Sequence, residues 1–255
     1  MTETVEIAHY DSYVKGMKKS LEDKLFFEKW LGDVEHLVDF GCADGELLKA
    51  LRYEHPNLKL SGIDMNEIML KKANVPNCSL ITSDMPKDPK LKSNVTSALN
   101  LSSVLHEVYS YGSADYINRF WRTVNEEKYD YVYIRDMMYE DLLPKKGLAE
   151  WHSKLIRYGD VKQMSEFQRH NGYFLGSKKN MVHFLLKYRY LQNWEREVRE
   201  NYFSYSLNDV MEGLEDYDCI HYERYALPFL RGVIKKDFDI DFNEMTHVKM
   251  VFRHR

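Results

Sequence analysis

The chain has 255 residues, of which 44% are hydrophobic and 30% charged, enough for one full-sized domain with a buried core. Its formal net charge of −4 does not indicate a nucleic-acid or membrane binder as a whole, and its three cysteines form neither a disulfide framework nor a zinc motif. Because it shows no apolar leader and no run of about 18 apolar residues, we expect a cytoplasmic protein that does not contact a membrane.

A helix and five strands are predicted in the first part of the chain. Apolar residues recur at three-to-four spacing over residues 13–31, which is typical of an amphipathic helix. Short apolar runs suited to buried strands occupy residues 36–40, 58–64, 79–84, 95–101 and 129–136. Polar amphipathic segments separate these runs. The alternation predicts a parallel sheet covered by helices on both faces.

The alternation stops after residue 136. Residues 137–217 show helical stretches, such as residues 180–201, but no evident strand. A connection of this length far exceeds the usual loop of about 2–6 residues, so we interpret it as a helical insertion or cap. Strand character returns at residues 218–227 and 246–254.

The segment HLVDFGCADGELLKAL joins an apolar strand to a helix through a glycine-containing turn. Small residues at Gly41, Ala43 and Gly45 allow a ligand to approach the backbone, and the helix N-terminus offers unpaired N–H groups. A dinucleotide-binding turn has the pattern G-x-G-x-x-G, but Ala43 and Glu46 replace its second and third glycines. An NAD-dependent oxidoreductase is therefore disfavoured.

Asp64 ends the second strand about twenty positions further on, where an acidic residue holds ribose hydroxyls in such folds. In this register, LVDFGCADG, GIDM, ITSDM and NLSSVLHEV resemble successive motifs of the class I S-adenosylmethionine (SAM)-dependent methyltransferases. The resemblance covers residues 36–136 and, more loosely, the two final strands. It implies a Rossmann-like α/β fold with a seven-stranded, mostly parallel sheet, a final hairpin of strands six and seven, and a helical insertion between strands five and six.

The resemblance also implies a cofactor site. The methionine part of SAM would lie against Asp39 and the turn, the ribose against Asp64, the adenine at the end of the third strand and the sulfonium beside the fourth. The implied residues are Asp39, Gly41, Cys42, Ala43, Gly45, Asp64, Met65, Ser83, Asp84, Met85, Asn100 and Leu101. The family often has glycine at the position of Ala43, and alanine is tolerable there if φ is negative. Alternatively, both aspartates are helix caps or turn residues.

His106, just past the fourth strand, is the candidate catalytic residue. Methyl transfer mainly requires the acceptor to lie in line with the methyl group within about 3 to 3.5 Å, and a base is needed only if the acceptor loses a proton. The pKa of histidine suits that role, and several small-molecule O-methyltransferases present a histidine at this position. The alternative is that His106 only packs beside the strand. The other histidines form no metal-ligand pattern, so no metal is expected.

The acceptor is less determined. We favour a small molecule with a hydroxyl or similar nucleophile. Residues 145–189 carry ten basic against three acidic residues, interleaved with aromatics, so an RNA or nucleotide methyltransferase is an alternative. A SAM-binding pseudoenzyme or partner protein is a third hypothesis, favoured if side chains of the insertion fill the face around His106.

The predicted organisation has three parts. Residues 1–35 form an N-terminal helical segment, residues 36–136 and 218–255 a SAM-binding core, and residues 137–217 the helical insertion. The sequence does not determine the oligomeric state.

Overall fold

The computed structural model describes residues 21–91, 94–140 and 147–255. They contain a seven-stranded sheet with strand order β3-β2-β1-β4-β5-β7-β6. The strands are β1 (His36–Phe40), β2 (Lys59–Asp64), β3 (Cys78–Thr82), β4 (Ser97–Ser102), β5 (Tyr131–Met137), β6 (Tyr217–Tyr225) and β7 (His247–His254). The first five strands are parallel, and β7 runs antiparallel to both β5 and β6. The predicted fold class is confirmed.

Helices lie between most of the strands. The α-helices are Leu21–Lys24, Glu46–Glu54, Glu67–Lys72, Leu105–Tyr111, Ala114–Glu127, Leu148–Tyr158, Val161–Asn171, Lys178–Lys187, Trp194–Glu197, Leu207–Gly213 and Pro228–Phe238, and the 3₁₀ helices are Phe26–Trp30 and Leu191–Asn193. In the part of the chain that the structure describes, none of them has the length and apolar character needed to cross a membrane.

The central strands contribute to the core on both faces of the sheet, because successive side chains of a strand point in opposite directions. Val38 and Leu99 pack in one cluster with Phe120, whereas Leu37 and Ala98 belong to another. Every residue of β1 and β4 is buried. Because both faces are buried, the sequences of both strands are nearly continuous apolar runs.

The strand order reverses between β1 and β4. These strands are neighbours, although β2 and β3 separate them in the sequence and lie on the other side of β1. Such a reversal opens a crevice at the carboxyl ends of the strands, which is where open α/β sheets bind ligands. The glycine-containing turn and the residues that follow β4 lie at this crevice.

The described residues between β5 and β6 are helical, as predicted, and they have a core of their own. Leu155, Phe167 and Phe184 are fully buried in it. Ile234, on the helix Pro228–Phe238, belongs to the same cluster. β6 and β7 pair antiparallel, as the resemblance implies, and this helix lies in the connection between them. The sequence predicts a strand to residue 227, but β6 ends at Tyr225. Pro228 then begins the next helix, because its fixed φ suits the first helical position.

Two predicted helices are shorter than the sequence pattern indicates. Of residues 13–31, the described part forms the α-helix Leu21–Lys24 followed by a 3₁₀ helix, and residues 13–20 lie outside the described residues. The helix Lys178–Lys187 also ends early, and Leu191, expected on its apolar face, is 70% exposed. The buried ammonium of Lys187 donates to the main-chain carbonyls of Glu197 and Glu200, which folds the following segment back on the helix.

Candidate active site

The turn after β1 has a left-handed backbone at alternate positions. Gly41, Ala43 and Gly45 have φ angles of 77°, 48° and 75°. A Cβ on Gly41 would approach Val104 to 2.7 Å, and one on Gly45 would approach a valine side chain to 2.8 Å, so both positions require glycine. The φ of Ala43 is positive, so the condition under which alanine is readily tolerated there is not met. Its main-chain N–H donates to Asp64 Oδ2 at 2.9 Å, which stabilises this strained conformation.

Asp64 ties the end of β2 to the turn. Its Oδ2 accepts the hydrogen bond from Ala43, and its Oδ1 accepts one from the N–H of Asn66 at 2.7 Å. Burial raises the pKa of Asp64, although these two hydrogen bonds act in the opposite direction. Asp64 is therefore a turn residue in this structure, and each carboxylate oxygen keeps a second acceptor position for a ligand hydroxyl.

Asp39 lies buried near the end of β1, beside Asn100 of β4. The amide of Asn100 donates to Asp39 Oδ1 at 2.8 Å, while its own amide oxygen is buried without a hydrogen-bond partner among the described residues. Burial raises the pKa of Asp39 to about 7, against the opposing effects of Asn100 and the Lys24 charge. The register of β1 and β4 pairs Asp39 directly with Asn100, so the sheet itself brings the two predicted residues together.

A cavity of about 40 Å³ lies at the crevice. Pockets for ligands of cofactor size hold about 300–1,000 Å³, so this cavity accommodates only part of such a molecule in the present arrangement. Its wall comprises Leu21, Lys24, Asp39, Gly41, Cys42, Ala43, Asp44, Glu46, Leu47 and Ser102. Two of these residues belong to the N-terminal helix, which therefore narrows the site.

A larger cavity of about 810 Å³ lies at the other end of β1 and β2. His36, His55 and Lys59 are among the residues that line it. It contains none of the residues that the sequence predicts for the site and lies away from the carboxyl ends of the strands, where this type of sheet binds ligands. We therefore place the site at the smaller cavity.

Several other predicted residues lie near the same edge of the sheet without lining the small cavity. Ser83 Oγ accepts the N–H of Met85 in a turn after β3, and Asp84 pairs with an arginine at 3.0 Å. Met65 is 47% exposed on the loop after β2, whereas Leu101 is fully buried in the core. Among the described residues, no cavity or contact connects these residues to the small cavity, so their role in binding adenine stays a prediction.

His106 is buried between two carboxylates. Its Nδ1 lies 2.7 Å from Asp136 Oδ1, and its Nε2 lies 2.6 Å from Glu200 Oε1. Burial alone would disfavour the charged ring, but Asp136 and Glu200 outweigh it and raise the pKa of His106 to about 10. Both ring nitrogens are therefore donors at neutral pH. In this arrangement His106 has no free nitrogen to act as a base toward an acceptor.

The insertion supplies the charges around His106. Burial opposes ionisation of Glu200, yet its hydrogen bond to His106 lowers the pKa of Glu200 to about 2. Arg196 lies 2.7 Å from Glu107 and 3.8 Å from Glu200. His106, Glu107 and Glu200 have ligand atoms within 4.8 Å of one another, a spacing that suits a metal ion. Since Arg196 and protonated His106 already compensate both carboxylates, the cluster is better described as an ion-pair network.

Several lysines of the basic stretch, residues 145–189, form ion pairs or are buried within the protein. Lys154 pairs with two carboxylates, Lys178 pairs with a buried glutamate at 2.7 Å, and Lys187 is fully buried. Its three phenylalanines, Phe167, Phe174 and Phe184, belong to the insertion core. Lys145 and Lys146 lie outside the described residues.

Solved structures share this fold at low sequence identity. A SAM-dependent methyltransferase from Anabaena variabilis superimposes with a TM-score of 0.50 at 14% identity, covering 98% of this chain and 96% of that chain. The pyocyanin biosynthetic protein PhzM gives a TM-score of 0.52 at 14% identity, covering 95% of this chain and 57% of that chain. The chain has the SAM-dependent methyltransferase fold. No family model and no curated protein matches the sequence.

Within this methyltransferase fold, sequence reasoning missed the residues that approach from other elements. Lys24 and Ser102 line the cavity, and Asp136 and Glu200 hold His106. Ser102 and Asp136 stand at the ends of predicted strands, so their position at the crevice was a usable signal. No comparable signal marked Lys24 or Glu200, which lies 94 positions from His106.

Proposed function

We propose that this chain is a SAM-dependent methyltransferase and that its acceptor is a small molecule with a hydroxyl or similar nucleophile. The observation that carries this proposal is the cavity at the crevice between β1 and β4, lined by Asp39 and the turn and bordered by Asp64. The buried carboxylate of Asp39 and the backbone groups of the turn suit the amino-acid part of SAM, and the carboxylate of Asp64 suits its ribose. The fold supports the same cofactor.

The residues present fit that cofactor. Asp39 and the backbone of residues 41–45 would hold the amino-acid part, Asp64 the ribose hydroxyls and residues 83–85 the adenine. The unpartnered amide oxygen of Asn100 fits a polar or positively charged group of a ligand, because a buried acceptor without a partner is costly. SAM supplies an activated methyl group when bound. The chain would contribute chiefly by positioning an acceptor against it and excluding water.

His106 enters this proposal as a positioning residue. Its protonated ring joins Asp136 of the sheet to Glu200 of the insertion and so fixes the wall of the acceptor region. It becomes a base only in a state in which Glu200 has left Nε2 and the ring has lost a proton. An acceptor that is already nucleophilic at neutral pH needs no such state.

A second candidate function is a SAM-binding protein without transferase activity. The observation that favours it is the packing around His106, where Glu200 accepts from Nε2 and the ring of Tyr202 packs edge-on against the imidazole at 5.4 Å. Side chains of the insertion thus occupy the face that an acceptor would need if His106 were the base.

The test is methyl transfer from labelled SAM by the purified protein to a cell extract, which is then separated into small molecules, RNA and protein. We expect label in the small-molecule fraction, and less of it with Asp64→Ala. Label in RNA would favour the nucleic-acid alternative. SAM binding without transfer to any fraction would favour the second candidate function, and the absence of SAM binding would contradict both.

A further inference from the structure

Lys24 brings a positive charge to the wall of the small cavity. It sits on the N-terminal helix, and its side chain lines the cavity together with Asp39 and Ser102. Among the described residues, no hydrogen bond or ion pair engages its ammonium group. Burial lowers the pKa of Lys24 to about 8, an effect that Arg135 reinforces and Asp39 partly offsets. A partly buried cation without a partner is costly unless a ligand supplies the missing charge.

The neighbouring cations are already neutralised. Arg135 lies 2.6 Å and Lys249 lies 2.7 Å from the carboxylate of Asp23. Arg196 pairs with carboxylates of the other cluster. Among the described cations near the crevice, Lys24 therefore differs in that it lines the cavity and forms no ion pair with a described carboxylate, although the charges of Asp39, Asp136 and Asp23 partly offset its lowered pKa.

Two further polar groups of the lining are oxygen atoms of Ser102 and Asp39. Within the described part of the chain, the buried hydroxyl of Ser102 has no hydrogen-bond partner, although it can both donate and accept. Asp39 uses Oδ1 for Asn100, and its Oδ2 accepts no hydrogen bond from the described residues. Lys24 and Ser102 thus supply an ammonium and a hydroxyl as donors, and Asp39 a carboxylate as acceptor, a set that complements a molecule carrying a carboxylate and an ammonium on one carbon. Asp44 and Glu46 also line the cavity, and Glu46 pairs with Lys49 at 2.9 Å.

We propose that Lys24 and Ser102 bind the α-carboxylate of the amino-acid part of SAM while Asp39 binds its α-ammonium group. This inference rests on the proposed function, and it assigns to the N-terminal helix a direct role in holding the cofactor. Because the cavity is only about 40 Å³ with Leu21 and Lys24 in place, entry of the whole cofactor requires this helix to shift outward.

The discriminating ligand is decarboxylated SAM, which keeps the ammonium, ribose and adenine but lacks the carboxylate. A hydrogen bond to a charged group corresponds to roughly a 10- to 100-fold change in affinity. We expect the wild-type protein to bind SAM at least about 10-fold more tightly than decarboxylated SAM by calorimetry. Lys24→Met should remove that preference by weakening SAM alone, and Ser102→Ala should reduce it.

Matched variants separate this role from a loss of folding. Lys29→Met, which changes an exposed lysine five positions along the chain, should leave both affinities unchanged. Asp39→Asn should weaken both ligands, because both carry the ammonium group. Retained binding of decarboxylated SAM by Lys24→Met shows that the site is still folded in that variant.

The inference is overturned if the wild-type protein binds the two ligands equally, or if Lys24→Met weakens both to the same extent. Failure of the wild-type protein to bind either ligand would instead contradict the proposed function, and the inference with it.

Discussion

Ala43 is the residue at which this turn departs from the glycine pattern, and its left-handed φ of 48° has an energetic consequence. A residue with a Cβ in this conformation is strained by about 1–2 kcal/mol. We predict that Ala43→Gly leaves the free energy of unfolding unchanged or raises it by up to about 1 kcal/mol, because relief of strain offsets the greater freedom of glycine in the unfolded chain.

The matched control for this prediction is Ala50→Gly. Ala50 lies in the following helix, Glu46–Glu54, where glycine costs roughly 0.5–1 kcal/mol. Urea denaturation of both variants provides the comparison. Equal destabilisation at the two positions would show that Ala43 is not strained.

Asp39 links the candidate site to stability through its pKa. Burial raises the pKa of Asp39 from its ordinary value of 3.8 to about 7. The folded protein therefore loses stability relative to the unfolded chain as the pH rises between these values. Asn at this position carries no charge, so we predict that Asp39→Asn raises the free energy of unfolding by up to about 4 kcal/mol at pH 8, at 1.36 kcal/mol per pKa unit.

The gain should fall below about 1 kcal/mol at pH 4, where the folded wild-type carboxyl is protonated and only about half of the unfolded carboxyls are ionised. Denaturant titrations at the two pH values measure the difference. A gain of equal size at both pH values would contradict the raised pKa of Asp39. The same variant is expected to lose SAM affinity, which would show that the charge of Asp39 contributes to binding although it lowers stability.

At the scale of secondary-structure elements, the ion pair between His106, just past β4, and Glu200 of the insertion joins the insertion to the sheet. The pair is charged between the lowered pKa of Glu200, about 2, and the raised pKa of His106, about 10. Its stabilising effect is therefore full between about pH 4.5 and 6.5, the ordinary values of the two groups, and is lost as the pH falls toward 2 or rises through 10.

We predict that Glu200→Gln lowers the free energy of unfolding by about 1.5–3 kcal/mol at pH 6, because the variant loses a charged hydrogen bond and leaves only Asp136 to compensate protonated His106. Glu195→Gln, on the exposed side of the same segment, should have no measurable effect. Denaturation monitored by tryptophan fluorescence tests both. If the two variants were equally stable, the pair would not hold the insertion in place.

Strands were easier to predict than helix ends. β1 was placed at its observed bounds, because burial on both faces leaves an uninterrupted apolar run, and the other strands were placed within a few residues. The predicted helix over residues 180–201 failed at its middle, where Lys187 inserts its ammonium between main-chain carbonyls. That interruption depends on a tertiary contact and leaves no periodicity to detect.

At the scale of the whole molecule, the site combines residues whose positions in the sequence are unrelated. The turn and Asp64 were predictable, because a strand, a turn and a helix bring them together locally. Lys24, from the N-terminal helix, and Ser102, from β4, meet them only when the sheet is complete. Likewise, the pattern around residue 106 predicted a histidine at the crevice but not the carboxylates that hold it.

The central claim is that this fold binds SAM at the crevice between β1 and β4, and calorimetric titration with SAM, its demethylated product and NAD tests it most directly. We predict micromolar binding of SAM or its product and none of NAD. Asp64→Ala should weaken binding by about 1.5 to 3 kcal/mol, the value of hydrogen bonds to a charged acceptor, whereas Glu67→Ala on the next helix should not. Binding of NAD in place of SAM, or SAM affinity unaffected by Asp64→Ala, would contradict the account.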